Sequence, residues 1–211
     1  MSASDNRFSP FGQSDGFALG TVVGGSLSEG IEIKLNDDVS VEDIPVGSYV
    51  VIQGETKRFF GMVNEVRLAT TDARLQTTPA NLTDPYVTEV LSGTAAYGTI
   101  TVRPRLLLPM VAGAEADLAP ARTVPAHFAR ASKASDSDVA QVFGFEDSRH
   151  FAVGTPLDME AVVCLDLKSF LERSNGVFGK SGTGKSFLTR LLLIGVLQSQ
   201  LSSLLIFDMH D

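Results

Sequence analysis

At 211 residues, with 44% hydrophobic and 20% charged side chains, the chain has a globular composition and room for one large domain or two small ones. A formal net charge of −8 excludes a broad basic surface for nucleic acid, although a pore lining would escape such a count. No apolar run reaches the ~20 residues of a membrane helix, Met1–Gly16 lacks the apolar core of a secretory signal, and the single cysteine, Cys164, permits no internal disulfide, which fits a reducing cytoplasm.

Residues 1–15 read as a flexible tail. From residue 16 to 108 short strands alternate with turn signals: Phe17–Val23, Gly30–Leu35, Tyr49–Gln53, Phe59–Leu68, Tyr86–Leu91 and Gly98–Arg103. Ile31, Ile33 and Leu35 alternate with Glu32 and Lys34, the pattern of a half-buried strand. Strands at this spacing without a long helix among them predict a small β-barrel. A two-sheet sandwich is the alternative, and it would leave long edges unprotected. The acidity lies mainly before residue 126, in pairs such as Asp37-Asp38 and Glu42-Asp43.

Residues 109–160 change texture, Ala-rich over Ala112–Ala121 and rich in Ser, Ala and Asp over Arg130–Asp138. They read as a connector with one short helix at Ser137–Phe143. Residues 161–211 then begin an α/β module: a strand at Ala161–Leu167, a helical turn at Ser169–Glu172, and a strand tip at Val177-Phe178.

That tip leads into Gly179-Lys180-Ser181-Gly182-Thr183-Gly184-Lys185-Ser186, a complete G-x-x-x-x-G-K-[ST] phosphate-binding loop. Ser186–Ser199 follows as a helix, apolar almost all round, as in a helix buried against a sheet. Gly179, Gly182 and Gly184 let the backbone curl so that successive amides face one concavity. The open amides of the helix N-terminus favour a phosphate. Lys185 is placed to reach the β- and γ-phosphates and Ser186 to ligate Mg²⁺. Lys180, Ser181, Thr183 and Phe187 complete the nucleotide-contacting stretch through their backbone amides.

Leu204-Leu205-Ile206-Phe207-Asp208 has the composition of a buried parallel strand ending in a carboxylate. It resembles a Walker B strand, yet Met209 stands where a second acid would follow. The one-helix connection from Lys185 favours instead the second strand of the nucleotide fold, with Asp208 near the phosphates at its carboxyl end.

Other signals carry less. Asn81-Leu82-Thr83 matches a glycosylation sequon in a chain with no signal peptide. Asp208, His210 and Asp211 are too close in sequence to converge readily on one ion. His127 and His150 have no partner at catalytic spacing.

Taken together, the barrel, the connector, Val162-Val163-Cys164-Leu165-Asp166-Leu167, the phosphate loop and Asp208-Met209-His210 resemble the HerA-like branch of the hexameric HerA/FtsK ATPases. His210 is followed by Asp211 where that family usually has Gly. The resemblance implies a multidomain β plus α/β fold, an ATP-synthase-type barrel followed by the start of a RecA-like P-loop ATPase domain. It implies ATP and Mg²⁺ as cofactors, catalytic roles for Lys185 and Asp208, and Mg²⁺ ligation by Ser186. It also implies a homo-hexamer on double-stranded DNA, in some members with a nuclease partner, cytoplasmic and apart from membranes. Residues 161–211 would be only the opening of the ATPase domain, lacking a later Walker B strand, a sensor and an interfacial arginine. The chain alone is therefore expected not to hydrolyse ATP. A rotary- or secretion-type ATPase, or a non-catalytic assembly product, remain the alternatives.

Overall fold

A computed structural model of the chain describes residues 17–71, 95–110, 118–156 and 158–207. The tail, the strand expected at Tyr86–Leu91, the sequon and Asp208–Asp211 lie outside the described residues. The chain forms two compact units, Met1–Asp138 and Val139–Asp211.

The first unit is built from β1 (Ala18–Ser26), β2 (Gly30–Leu35), β3 (Tyr49–Gln53), β4 (Arg58–Thr70), β5 (Ala96–Leu108), β6 (Ala119–Pro120) and β7 (Arg130–Lys133). Their order is β2-β1-β7-β3-β4-β5-β6, and β2 also pairs with β5. That last ladder runs from Ile31 opposite Val102 to Lys34 opposite Thr99 and closes the sheet into a barrel. Closure leaves no open edge among the barrel strands, so the barrel expectation holds and the sandwich does not.

The interior follows from alternation. Ile31, Ile33, Leu35, Val50, Ile52, Val63, Ile100 and Val102 are buried in one cluster, while Glu32 between them is exposed. Most of the branched side chains come from β2, β3 and β5, where pleated strands accommodate them at low conformational cost.

β7 comes from the stretch read as a connector. It lies between β1 and β3, with Ala131 opposite Gly20 on one side and Ile52 on the other. Arg-Ala-Ser-Lys has little intrinsic strand preference, and here two ladders at once outweigh that preference.

The barrel strand β7 leads directly into α1 (Asp136–Phe143). Ser135 Oγ accepts from the Asp138 amide at 3.2 Å, and Asp138 Oδ2 accepts from the Ser135 amide at 3.0 Å. This reciprocal capping box starts the helix. The other Asp138 oxygen accepts from the Arg58 Nη2 group of β4, both side chains being buried.

The second unit contains β8 (His150–Gly154), β9 (Val163–Asp166), α2 (Leu167–Leu171) and α3 (Lys185–Ser199). β8 and β9 pair antiparallel, with Phe151 opposite Leu165 and Ala152 opposite Cys164. Burial pushes the Cys164 thiol above its ordinary pKa.

Three expectations need correction in this unit. Val177-Phe178 is irregular rather than a strand tip, and Phe178 is 93% exposed. Leu204–Phe207 is neither strand nor buried, Phe207 being 87% exposed. The helix α3 buries Gly195 and Val196, while Phe187, Ile194 and Leu197 stay exposed. The cause is common to all three. An apolar run becomes a buried parallel strand only with a strand on each side and a helix over it, and among the described residues the sheet of this unit is the β8–β9 pair.

Candidate phosphate-binding loop

The junction of β9 and α2 is organised around Asp166. This residue ends β9 and caps α2, its carboxylate accepting from the amides of Lys168 at 3.1 Å and Ser169 at 3.2 Å and from the Ser169 hydroxyl at 2.7 Å. Arg149 adds a two-pronged contact, its Nε donating to Asp166 Oδ1 at 2.9 Å and its Nη2 to Oδ2. The Arg149 guanidinium, followed by the Ser169 hydroxyl, holds the Asp166 carboxyl far below the usual carboxylate range. The same pair raises the Arg149 pKa.

Asp147 forms a second knot beside it. Its Oδ1 accepts from the amides of Arg149 and His150, each at 2.7 Å, and lies 3.1 Å from His150 Nδ1. The His150 amide, then that of Arg149, lowers the Asp147 pKa. His150 thus has a partner that its spacing did not reveal, three residues away in a turn.

The chain from Glu172, the C-cap of α2, to Lys180 has no regular secondary structure and leads to the turn at the loop's centre. Gly182 and Gly184 hold φ of +79° and +86°, in the left-handed region. A β-carbon on either would meet nothing within 4 Å, so their outer side is open to a ligand. Gly184 caps α3, and the first helical bond is from the Leu188 amide to Gly184 O at 2.9 Å. The amides of Lys185, Ser186 and Phe187 therefore lie in the first turn, ahead of the helical ladder, where an anion is favoured.

Lys185 is half-buried, and its Nζ donates to the Lys180 carbonyl at 2.6 Å across the loop. Thr183 Oγ1 donates to the same oxygen at 2.7 Å. Gly179, Lys180, Ser181, Gly182, Thr183, Gly184, Lys185, Ser186 and Phe187 are thus one continuous turn and helix start. They suit a polyphosphate: flexible glycines, open amides, one ammonium and one hydroxyl at the helix head. Asp208 lies outside the described residues.

Two family models match the chain, "HAS barrel domain" over residues 19–102 and "Helicase HerA, central domain" over residues 151–211. The chain is HerA-like. No curated protein matches it. For a HerA-like chain the family-level chemistry is nucleotide binding and ATP hydrolysis, in the HerA/FtsK group. Proteins of that family generally use ATP and Mg²⁺, form hexamers and bind DNA. Among the described residues no helix of this HerA-like chain is long and apolar enough to cross a membrane.

The contacts of Asp166 and Thr183 were the features that motif spacing missed. For Asp166 a signal was present: an acid just before a helical stretch is an N-cap pattern. For the Thr183 hydroxyl there was none, because the G-x-x-x-x-G-K-[ST] pattern leaves that position open.

Proposed function

We propose that this HerA-like chain binds ATP with Mg²⁺ on residues 179–187 and serves an ATP-dependent translocase acting on double-stranded DNA. The observation that carries the reading is the loop at the head of α3, with left-handed Gly182 and Gly184 and first-turn amides, inside the segment matched by the HerA central domain.

Bound ATP–Mg²⁺ supplies the phosphoanhydride whose cleavage is coupled to movement. The protein's own groups bind and orient it. Amides around Gly182 and Gly184 would hold the phosphates, Lys185 would supply its ammonium to the β- and γ-phosphate oxygens, and Ser186 would hold the metal through its hydroxyl. Asp208 is assigned an acidic role near the phosphates. Homo-hexameric assembly, with nucleotide closing and reopening subunit interfaces, and a place in the cytoplasm are part of this proposal. A nuclease partner in DNA end processing belongs to the same reading.

The test is a titration with a fluorescent ATP analogue and Mg²⁺, using the wild-type chain and Lys185→Ala. Loss of the charge-assisted contact, worth about 1.5–3 kcal/mol, weakens binding by roughly 10- to 100-fold. Equal affinity in the two proteins overturns the nucleotide assignment. The DNA assignment is tested on an ATPase that carries this chain together with a complete ATPase domain; turnover there that is indifferent to duplex DNA overturns it and favours a rotary- or secretion-type role.

A further inference from the structure

The carbonyl of Lys180 is the hub of the loop. It accepts from Lys185 Nζ at 2.6 Å and Thr183 Oγ1 at 2.7 Å, with the Thr183 amide at 3.4 Å. The two short contacts match the two lone pairs of a carbonyl oxygen. Gly179 makes the arrangement possible: a β-carbon there would stand 2.8 Å from Thr183 Oγ1 and 3.5 Å from Lys185 Cγ. The hydroxyl and the lysine stem therefore occupy the space that any other residue at 179 would fill.

Resting on the nucleotide-binding reading above, we propose that Thr183 is a positioning residue for the nucleotide. Its hydroxyl clamps the peptide between Lys180 and Ser181, holding the carbonyl on which the Lys185 ammonium is stowed until phosphate arrives.

When phosphate enters, Lys185 leaves a neutral carbonyl for an anionic oxygen, a stronger partner. Its departure would release the Lys180 peptide to rotate, but the Thr183 hydroxyl still satisfies that oxygen. The loop keeps its shape through the exchange. Without the hydroxyl the empty loop samples other conformers, and binding is weakened by the fraction that is competent.

This predicts a specific signature. Thr183→Val preserves the branched shape and deletes the donor. The loss of one hydrogen bond of about 1 kcal/mol weakens ATP binding roughly fivefold. ADP binding weakens by the same factor, because the clamp acts on the loop and not on the γ-phosphate. Thr183→Ser, which keeps the hydroxyl, restores affinity towards that of the wild type.

The experiment titrates fluorescent ADP and ATP analogues into the wild-type chain, Thr183→Val, Thr183→Ser and Lys185→Ala, with thermal melting of each. The expected result is weakening of both nucleotides in Thr183→Val, rescue in Thr183→Ser, and an unchanged melting temperature. If the wild type binds neither nucleotide, the reading beneath the proposal fails and the proposal falls with it. If the wild type binds, Lys185→Ala binds more weakly, and Thr183→Val binds as tightly as the wild type, the clamp alone is overturned. Weakening confined to ATP also overturns it, since the hydroxyl would then contact the γ-phosphate itself. A lowered melting temperature in Thr183→Val without Ser rescue assigns the residue to general stability and overturns the positioning role.

Discussion

Phe151 of β8 packs its ring against the backbone of Gly195 in α3, so closely that a β-carbon on Gly195 would stand 2.7 Å from both Cγ and Cδ1 of the ring. A glycine inside a helix is otherwise unfavourable by about 1 kcal/mol relative to alanine. Here it is the residue that lets the helix approach the hairpin, and Val196 beside it is buried.

Gly195→Ala is therefore expected to destabilise the second unit despite its better helix propensity. Overpacking costs about 1–3 kcal/mol and the propensity gain offsets about 1 kcal/mol of it, leaving a net loss of roughly 1 kcal/mol. Urea unfolding followed by helical circular dichroism measures it. A stabilised variant would show that the ring yields freely.

The barrel has a buried charge pair, Arg58 with Asp138, at 4% and 3% exposure. Arg58→Met leaves the Asp138 carboxylate buried without its counter-charge and is expected to cost about 3–5 kcal/mol. Arg58 Nη1 has no hydrogen-bond partner among the described residues. Adding Asp138→Asn keeps a capping oxygen for Ser135 and removes the stranded charge. The double variant should be more stable than Arg58→Met alone. A double variant that is no more stable than Arg58→Met would refute the charge argument.

Acid should weaken the second unit through Asp166. Its pKa is depressed by Arg149 in the folded chain. The contribution is thus fully present above the ordinary aspartate value, near pH 4, and is lost as pH falls through the lower folded value. Arg149→Leu returns the carboxyl towards its ordinary range. The stability gap between wild type and Arg149→Leu, measured by denaturant titration at several pH values, is expected to be widest at neutral pH and to narrow below about pH 4. A gap independent of pH would assign the Arg149 effect to packing.

At Gly184 the left-handed φ of +86° makes Gly184→Ala costly at the helix start, by about 1–2 kcal/mol. Since the strained residue sits between Thr183 and Lys185, the expected consequence is roughly tenfold weaker nucleotide binding. The melting of the barrel unit should not change. Fluorescent-nucleotide titration and thermal melting separate the two. Unchanged affinity would mean that the loop tolerates a different turn there.

Local patterns carried much of this protein into view. Alternation in Ile31–Leu35, the loop Gly179–Ser186 and the helix after it depend on neighbours in sequence, because the strand period, the glycine turn and the helix cap all operate within a few residues. The observed helix starts at Lys185, one residue before the expected position, on the cap provided by Gly184. Leu204–Phe207 misled for the complementary reason: composition reports a capacity for burial, and burial itself requires strands on both sides. What only the tertiary structure decided were the long-range pairings. Arg130–Lys133 became a barrel strand because β1 and β3 offered it two ladders. Arg58 found Asp138 at a sequence separation of 80, and Phe151 found Gly195. Each depends on chain closure bringing distant groups into contact, and no periodicity along the sequence encodes that distance.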